Sequence, residues 1–393
     1  MAHDNLTKAK KNKNDEFYTQ FSDIQKEINA YLDFNPNVFK GKTVLLPCDD
    51  PEWSNFTKFF CQNFVKLGLK KIISTSYAHN SKNVDFDYQP TLFETVDPRF
   101  EIKRSKEKGK IFTLTADENS DGKINIDDLK WNYLEGDGDF RSEEVKKLRD
   151  EADIIVTNPP FSLFREFISW IYEAKKQFIV IGSLNAIGWK EIFPIIKRNE
   201  MWLGNGFSGG NAFFGLPKNS KTEYVDGVLQ ENGLVKFRNC CWYTNIDHGR
   251  RHQKIQLMSM ADNIKFSKHK DIKNIGYQHY DNYDAIEVPY VDSIPSDYKE
   301  MMGVPISFLD KYNPEQFEII GFSVASSNED SLITKSYNDY IGYKQDGTPT
   351  GRTGSTFGAC PVIVKNDGKS VYYEKDGIQV QATYARLFIK SRG

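Results

Sequence analysis

The first half of the chain alternates short apolar runs with segments of helical periodicity. Four runs have the length and composition of buried strands, and they cover residues 43–46, 71–74, 153–157 and 177–182. Apolar residues at helical spacing follow the first run, so we predict a helix that begins with Asp50-Pro51 and ends at Gly68. A second helix is predicted over 163–175. Strands that alternate with helices are typical of an α/β domain with a largely parallel sheet.

The run at 153–157 leads directly into Asn158-Pro159-Pro160. Proline cannot donate to a strand ladder, so the strand must end here. Residues 153–182 therefore predict a strand, a turn, a helix and a strand, which make a βαβ unit. Ligands of such units bind at the carboxyl ends of the strands, and Asn158 lies at that end.

From about residue 263 the pattern changes to alternating aromatic and polar residues with many Gly, Asn and Asp. This texture predicts a second domain that is rich in strands and loops. We therefore divide the chain into a first domain of residues 1–262 and a second of residues 263–393.

Charge limits the kinds of partner that the chain can attract. The formal net charge of the 393 residues is only −2, so any contact with a nucleic acid must come from local basic patches. Two such patches are formed by Lys8, Lys10, Lys11 and Lys13, and by Arg250, Arg251, Lys254, Lys265, Lys268 and Lys270. A solvated surface explains such runs as well as phosphate contact does.

The five cysteines show neither a C-x-x-C pair nor a His partner at metal spacing. We therefore expect no disulfide framework, no metal centre and a reducing, cytoplasmic setting. No apolar run approaches the ~20 residues that cross a bilayer, so no membrane partner is expected.

The strongest chemical signal is Asn158-Pro159-Pro160-Phe161 directly after a buried strand. The exocyclic amine of adenine is a poor nucleophile because its lone pair is conjugated into the ring. The side-chain oxygen of Asn158 and the carbonyl of Pro159 can accept the two amine hydrogens, while the prolines keep the loop rigid. Phe161 offers a flat face on which an extruded base can stack. The alternative is that these residues merely end the strand and that Phe161 enters the core.

The chain resembles the EcoRI-type adenine-specific DNA methyltransferases. The segments that carry the resemblance are residues 15–20, Cys48-Asp49-Asp50-Pro51 with Ser54-Asn55-Phe56, Gly136-Asp137-Gly138-Asp139-Phe140, and residues 155–161. The resemblance implies a Rossmann-like methyltransferase sheet with helices on both faces and a C-terminal DNA target-recognition domain. It also implies S-adenosyl-L-methionine as cofactor and a flipped adenine of double-stranded DNA, methylated at N6, as substrate.

The same resemblance implies where the cofactor binds. The implied residues are Phe17, Tyr18, Thr19, Cys48, Asp49, Asp50, Asp137, Asp139 and Phe140. Residues 17–19 would lie against the methionine end, Asp49 and Asp50 would face the amine or ribose, and the third segment would accept from the adenine amine. An N-cap at Asp50 and an acidic surface turn in the third segment are the alternatives.

Two features depart from the usual methyltransferase pattern. Residues 47–51 contain no glycine-rich loop, and the second strand ends in Ser74-Thr75-Ser76 without the acidic residue that commonly binds ribose.

The resemblance further implies a monomeric enzyme that protects DNA from a cognate restriction endonuclease. A methyltransferase for RNA or protein glutamine, and a silent nucleic-acid-binding relative, are the alternatives.

Three further segments allow more than one interpretation. Residues 117–128 match the calcium-loop pattern, but 111–114 are strand-like, which favours a solvated hairpin turn over an ion site. Residues 211–215 could supply a second aromatic wall for a flipped base. For that segment and for Trp242-Tyr243, core packing is the favoured role.

Overall fold

The computed structural model describes residues 17–47, 49, 54–78, 100–207, 211–216, 228–323, 332–364 and 371–392. These residues fall into two compact units. The first contains the described residues up to Ala186 and those of Met201–Gly249, and the second contains Ile187–Glu200 and the described residues from Arg250 onward. The predictions for Cys48, Asp50, Pro51 and the lysines of 8–13 lie outside the described residues.

The first unit contains six of the described helices and twelve of the described strands. The helices are α1 (Phe21–Phe34), α2 (Asn55–Gln62), α3 (Phe64–Leu67), α4 (Ile102–Glu107), α5 (Glu143–Glu151) and α6 (Phe164–Glu173). The strands are β1 (Tyr18–Thr19), β2 (Thr43–Leu46), β3 (Lys71–Ser76), β4 (Lys110–Leu114), β5 (Lys130–Tyr133), β6 (Ile154–Thr157), β7 (Gln177–Ser183), β8 (Trp202–Leu203), β9 (Ala212–Gly215), β10 (Val228–Leu229), β11 (Val235–Phe237) and β12 (Cys240–Thr244). The four strands predicted from apolar runs are β2, β3, β6 and β7, and they are confirmed.

An eight-stranded mixed sheet in the order β5-β4-β3-β2-β6-β7-β12-β8 forms the centre of the first unit. Its four middle strands, β3-β2-β6-β7, run parallel. Helix α6 connects β6 to β7, so the predicted βαβ unit is confirmed. Every residue of β2 and β6 is buried. This is expected for central parallel strands, whose side chains are covered on both faces of the sheet. The expected α/β class is confirmed in this form, with mixed sheets and helices.

The predicted start of the helix after β2 is wrong in position. Helix α2 begins at Asn55, and Ser54 is its cap, with a side-chain oxygen that accepts from the Phe56 amide at 3.1 Å. The Ser54 hydroxyl also donates to Asp49 at 2.7 Å, which fixes the cap at this serine. The predicted stop is confirmed, since Gly68 ends α3 with a left-handed φ of 63°. The predicted single helix is instead two helices, α2 and α3, which are separated at Asn63.

The second unit is built mainly of strands. Its described helices are α7 (Phe193–Lys197), α8 (Met260–Phe266) and α9 (Lys270–Ile275). Its described strands are β13 (Ile286–Glu287), β14 (Met302–Val304), β15 (Phe317–Phe322), β16 (Ile341–Tyr343), β17 (Pro349–Thr353), β18 (Val362–Val364), β19 (Tyr372–Lys375), β20 (Ile378–Ala382) and β21 (Leu387–Ser391). They form sheets in the orders β13-β14-β21-β15 and β17-β16-β19-β20-β18. Helix α7 packs on β15, where the rings of Phe193 and Phe322 lie 5.8 Å apart.

The segment with the calcium-loop pattern is the turn of the antiparallel hairpin β4–β5. Asp128 accepts from the amides of Glu118, Asn119 and Asn125 at 2.9 to 3.2 Å. The antiparallel pairing confirms the favoured hairpin interpretation. The Asp128 carboxylate organises the turn by accepting from main-chain amides of the turn. Among the described residues, no group of His, Cys, Asp or Glu has the arrangement of a metal site. None of the described helices combines the length and apolar character needed to cross a membrane.

Candidate active site

Asn158 directly follows β6 at the carboxyl end of the parallel strands. Its side-chain nitrogen Nδ2 donates to the main-chain oxygen of Phe17 at 2.7 Å. The side-chain oxygen Oδ1 is buried and has no hydrogen-bond partner among the described residues. A buried acceptor without a donor costs free energy, so this atom is a candidate for contact with a substrate.

The segment that contains Phe17 is held next to the Asn158 loop from two sides. Strand β1 pairs antiparallel with β9, with Tyr18 opposite Gly215 and Thr19 opposite Phe214. From α2, the Asn55 side chain donates to the Thr19 carbonyl at 2.7 Å. The Thr19 hydroxyl oxygen is buried and, in the described part of the chain, has no partner. The structure therefore brings a predicted cofactor segment and the predicted catalytic loop together.

Four phenylalanine rings cluster beside this junction. Phe161 is stacked against Phe17, with ring centroids 6.1 Å apart and planes at 28°. Phe214 and Phe237 complete the cluster with centroid distances of 4.9 to 6.3 Å. Phe17 and Phe214 are core residues, whereas Phe161 is only partly buried. Phe214, one of the aromatic residues of 211–215, thus packs in the core and also lies beside Phe161.

Asp49, the described residue after β2, ties three elements together. One carboxylate oxygen accepts from the Ser54 hydroxyl at 2.7 Å and the other from the Thr157 hydroxyl at 2.6 Å. Its main-chain oxygen accepts from Thr57 at 3.0 Å and also from Ser74. Asp49 is only 6% exposed. A contact with the cofactor stays a prediction, and it would share the carboxylate with the protein's own hydroxyls.

The acidic segment before α5 lies beside the end of β3. The Ala78 amide donates to the Asp137 carbonyl at 2.8 Å. The Asp139 carboxylate binds the Arg141 guanidinium at 2.6 Å, and Arg141 also reaches Glu166 at 2.9 Å. The hydrogen bond to Asp139 raises the pKa of Arg141 above its usual range, so the guanidinium stays protonated. The predicted cofactor contact of Asp139 must therefore coexist with an ion pair.

Packing explains two more residues of this segment. A side chain at Gly138, whose φ is 88°, would lie 2.4 Å from the Ser76 main-chain oxygen. Glycine is therefore required there by the close approach of the chain to β3. Phe140 is fully buried, with its ring 5.1 Å from Phe167 and 5.5 Å from Trp170 of α6. The predicted contact between Phe140 and the cofactor would therefore require the cofactor to reach a ring that lies inside the core.

Some residues around the site were not predicted. These are Thr157, which joins β6 to Asp49, and Phe237, which completes the ring cluster. Both residues are far from their partners in the sequence, so no local pattern indicates their roles. Trp242 and Tyr243 are almost completely buried, which confirms their predicted core role. Arg251 of the predicted basic surface is buried and donates to Asn199 at 2.5 Å, so it does not belong to that surface.

Comparison with known proteins gives matches over most of the chain. The model of the family described as adenine-specific methyltransferase EcoRI matches residues 5–391. The Type II methyltransferase M.EcoRI of Escherichia coli is 39% identical over 330 residues, which are 84% of this chain and 92% of the relative. No solved structure is matched with significance.

Two mycoplasma proteins are also similar. The Type II methyltransferase M.MpnI of Mycoplasma pneumoniae is 34% identical over 84% of this chain and 90% of its own length. M.MgeORF184P of Mycoplasma genitalium, also named a Type II methyltransferase, is 33% identical over 80% and 85%. These matches confirm the resemblance predicted from the four segments and the expected enzyme class. The chain belongs to the family of the adenine-specific methyltransferase EcoRI.

Proposed function

We propose that the protein transfers a methyl group from S-adenosyl-L-methionine to the N6 amine of a flipped adenine in double-stranded DNA. The observation that carries this proposal is the buried Asn158 Oδ1, which has no partner among the described residues. Asn158 Nδ2 donates to the main-chain oxygen of Phe17, and the Phe17 ring stacks on the partly buried ring of Phe161. An acceptor held in this way suits an amine hydrogen of a base that stacks on the ring.

The chain's contribution to the reaction is positioning. Asn158 Oδ1 and the Pro159 carbonyl accept the two amine hydrogens, which draws the nitrogen toward tetrahedral geometry and frees its lone pair. When bound, the cofactor would supply an electrophilic methyl group from its sulfonium; transfer to the nitrogen would leave a neutral thioether and release one amine proton to solvent. Rigid placement of the amine by these two acceptors would lower the entropic part of the barrier.

Residues at the carboxyl ends of the parallel strands would hold the cofactor. The Thr19 hydroxyl, which has no partner among the described residues, can bond a polar ligand atom, and it lies in the segment that follows Phe17. Asp49 and the 137–140 segment lie after β2 and beside the end of β3, where a doubly wound sheet binds its ligand. The order β3-β2-β6-β7 of the parallel strands supports a Rossmann-like methyltransferase sheet.

The second unit would read the DNA site and hold its backbone. A groove of about 340 Å³ in this unit is lined by Arg250, Lys254 and Lys311 together with Gln253, Gln256, Ile255 and Asp292. Asp292 is already bound by Lys268 and His269, each at 2.8 Å, so the groove carries a net positive charge. Ile255 is fixed by two hydrogen bonds to the Gln316 side chain, which keeps the neighbouring Lys254 in place. A phosphate of the DNA backbone fits this chemistry.

The Lys254→Ala variant should bind DNA more weakly at every sequence. Loss of one phosphate contact should reduce the slope of log K against log salt concentration by about 1. Titrations of labelled duplex at several salt concentrations measure this slope. Lys66→Ala, an exposed lysine of α3 in the first unit, is the matched control and should leave the slope unchanged. An unchanged slope for Lys254→Ala would exclude the groove as a phosphate site.

A direct assay tests the reaction. Purified protein is incubated with methyl-labelled S-adenosyl-L-methionine and, in separate reactions, duplex DNA from several sources, RNA and protein. We expect label in DNA alone, recovered as N6-methyladenine after digestion to nucleosides. Label in RNA or protein instead, or none with folded protein and varied DNA, would overturn the proposal. Protection of the methylated DNA from a restriction endonuclease tests the expected place in a modification system.

A further inference from the structure

The N-terminal segment determines which atom of Asn158 faces the site. The Phe17 main-chain oxygen lies 2.7 Å from Asn158 Nδ2. A carbonyl oxygen can only accept, so the amide must present an N–H to it. Oδ1 must then point away from Phe17, and this is the buried atom that has no partner among the described residues.

We propose that the main-chain carbonyl of Phe17 is a positioning group for methyl transfer and makes an amide, not a carboxylate, the side chain required at position 158. The inference rests on the proposed function, in which Asn158 Oδ1 accepts from the substrate amine. A carboxylate accepts hydrogen bonds more strongly than an amide does. On the chemistry of the amine alone, aspartate would therefore serve at least as well as asparagine.

Phe17 reverses that preference. A carboxylate at 158 would place a second oxygen against the Phe17 oxygen, with no hydrogen between them. Two acceptors at this distance repel each other, and the partial burial of the contact weakens screening by water. The carboxylate would rotate or withdraw, and its other oxygen would leave the position at which the amine is held.

The Phe17 carbonyl cannot readily turn away, because its neighbours fix it on both sides. Phe17 is 8% exposed, and its ring packs against Phe161, Phe214 and Phe237. The next two residues pair with β9, and the Thr19 carbonyl is held by Asn55. Rotating the Phe17 peptide would disturb the ring cluster and the strand pairing together.

Asn158→Asp tests the inference through its pH profile. A protonated carboxyl can donate its O–H to Phe17 and present its other oxygen to the amine, as the amide does. Burial beside a carbonyl should raise the pKa of this carboxyl above the usual value of about 3.9. Only its protonated fraction should be active, so the variant should regain activity as the pH falls.

The measurement is the single-turnover rate with saturating cofactor and DNA from about pH 8 to about pH 5.5, expressed as the ratio of variant to wild type. At the upper end we expect a ratio lowered by about 10²-fold or more. It should rise about tenfold for each unit of decreasing pH until the carboxyl is half protonated. A ratio near one at the upper end, or a low ratio that does not change with pH, would overturn the inference.

Other ionisable groups around position 158 do not confuse this test. On the described elements nearby these are Tyr18 of β1, Asp49 after β2, and Lys236 of β11, whose ammonium lies 5.7 Å from the Phe213 ring centre. They are present in both proteins, so their titration cancels in the ratio. Asn158→Ala is the matched control, and its ratio should stay low and flat, since alanine neither donates nor accepts.

Stability gives a second readout that does not need activity. A native carboxyl with a raised pKa binds more protons than the unfolded chain, so the free energy of unfolding of Asn158→Asp should fall relative to wild type as the pH rises toward neutral. Urea unfolding at several pH values measures this difference, and a constant difference would contradict the inference.

The outcomes separate this inference from the proposed function. Failure of wild type to methylate adenine would overturn the proposed function, whereas active wild type with a pH-independent Asn158→Asp ratio would overturn this inference alone.

Discussion

Replacing Asn158 by alanine is expected to lower kcat by about 10²–10³-fold, as the loss of one transition-state hydrogen bond in a dry site does elsewhere. The variant loses Oδ1, which is buried and without a partner among the described residues. Because this atom is proposed to touch the substrate amine and not the cofactor, the Kd for S-adenosyl-L-methionine should stay within a few-fold of wild type. Single-turnover kinetics and calorimetric titration measure the two quantities.

The control for this variant is Asn132→Ala, which removes an exposed asparagine from β5. It should change neither kcat nor the Kd for the cofactor. An equal loss of cofactor binding and of turnover in Asn158→Ala would show that Asn158 holds the cofactor. Turnover close to wild type would exclude Asn158 from the reaction.

The sequence predicted the central strands and the position of Asn158 because both are local features. Parallel strands that are buried on both faces are continuous apolar runs, as β2 and β6 are. Asn158 is next to β6 in the chain, so locating the strand also located the amide. The Asn-Pro-Pro-Phe order then connected that position with amine chemistry.

The partners of that amide could not be predicted in the same way. Phe17 and Asn158 are 141 positions apart, and Asp49 and Thr157 are 108 apart. Their contacts exist because β2 lies beside β6 and because β1 is added to β9. Neither pairing leaves a trace in the neighbouring residues, so the sequence indicated the residue types of the site but not their hydrogen bonds.

Glu27, by contrast, carries a local signal in the sequence. Helix α1 buries one stripe of residues, made of Ile24, Ile28 and Tyr31, and Glu27 lies within that stripe. A charged residue among apolar ones at helical spacing indicates either a break in the helix or a buried group with dedicated partners. Here the second explanation applies, because both carboxylate oxygens accept hydrogen bonds.

Glu27 joins α1 to the chain that leads toward β9. Its carboxylate accepts from the Tyr31 hydroxyl at 2.7 Å and from the amides of Asn205 and Gly206 at 2.9 and 3.1 Å. Burial, followed by the charge of Glu27, raises the pKa of Tyr31 well above 10.0, so the phenol remains a donor. A side chain at Gly204 would lie 2.0 Å from the carboxylate, so this glycine is required for the close approach.

Glu27→Ala is therefore expected to lower the free energy of unfolding by about 3–5 kcal/mol, because one buried hydroxyl and two part-buried amides lose their acceptor at once. Glu27→Gln keeps the volume and one acceptor oxygen but turns an N–H₂ group toward a donor, so it should lose about 1–3 kcal/mol. Urea unfolding followed by circular dichroism measures both changes. Glu107→Ala, an exposed glutamate of α4, should lie within about 0.5 kcal/mol of wild type. If Glu27→Ala behaved like Glu107→Ala, water would have to replace the carboxylate at all three donors, and the segment at 204–206 would not depend on α1 for its position.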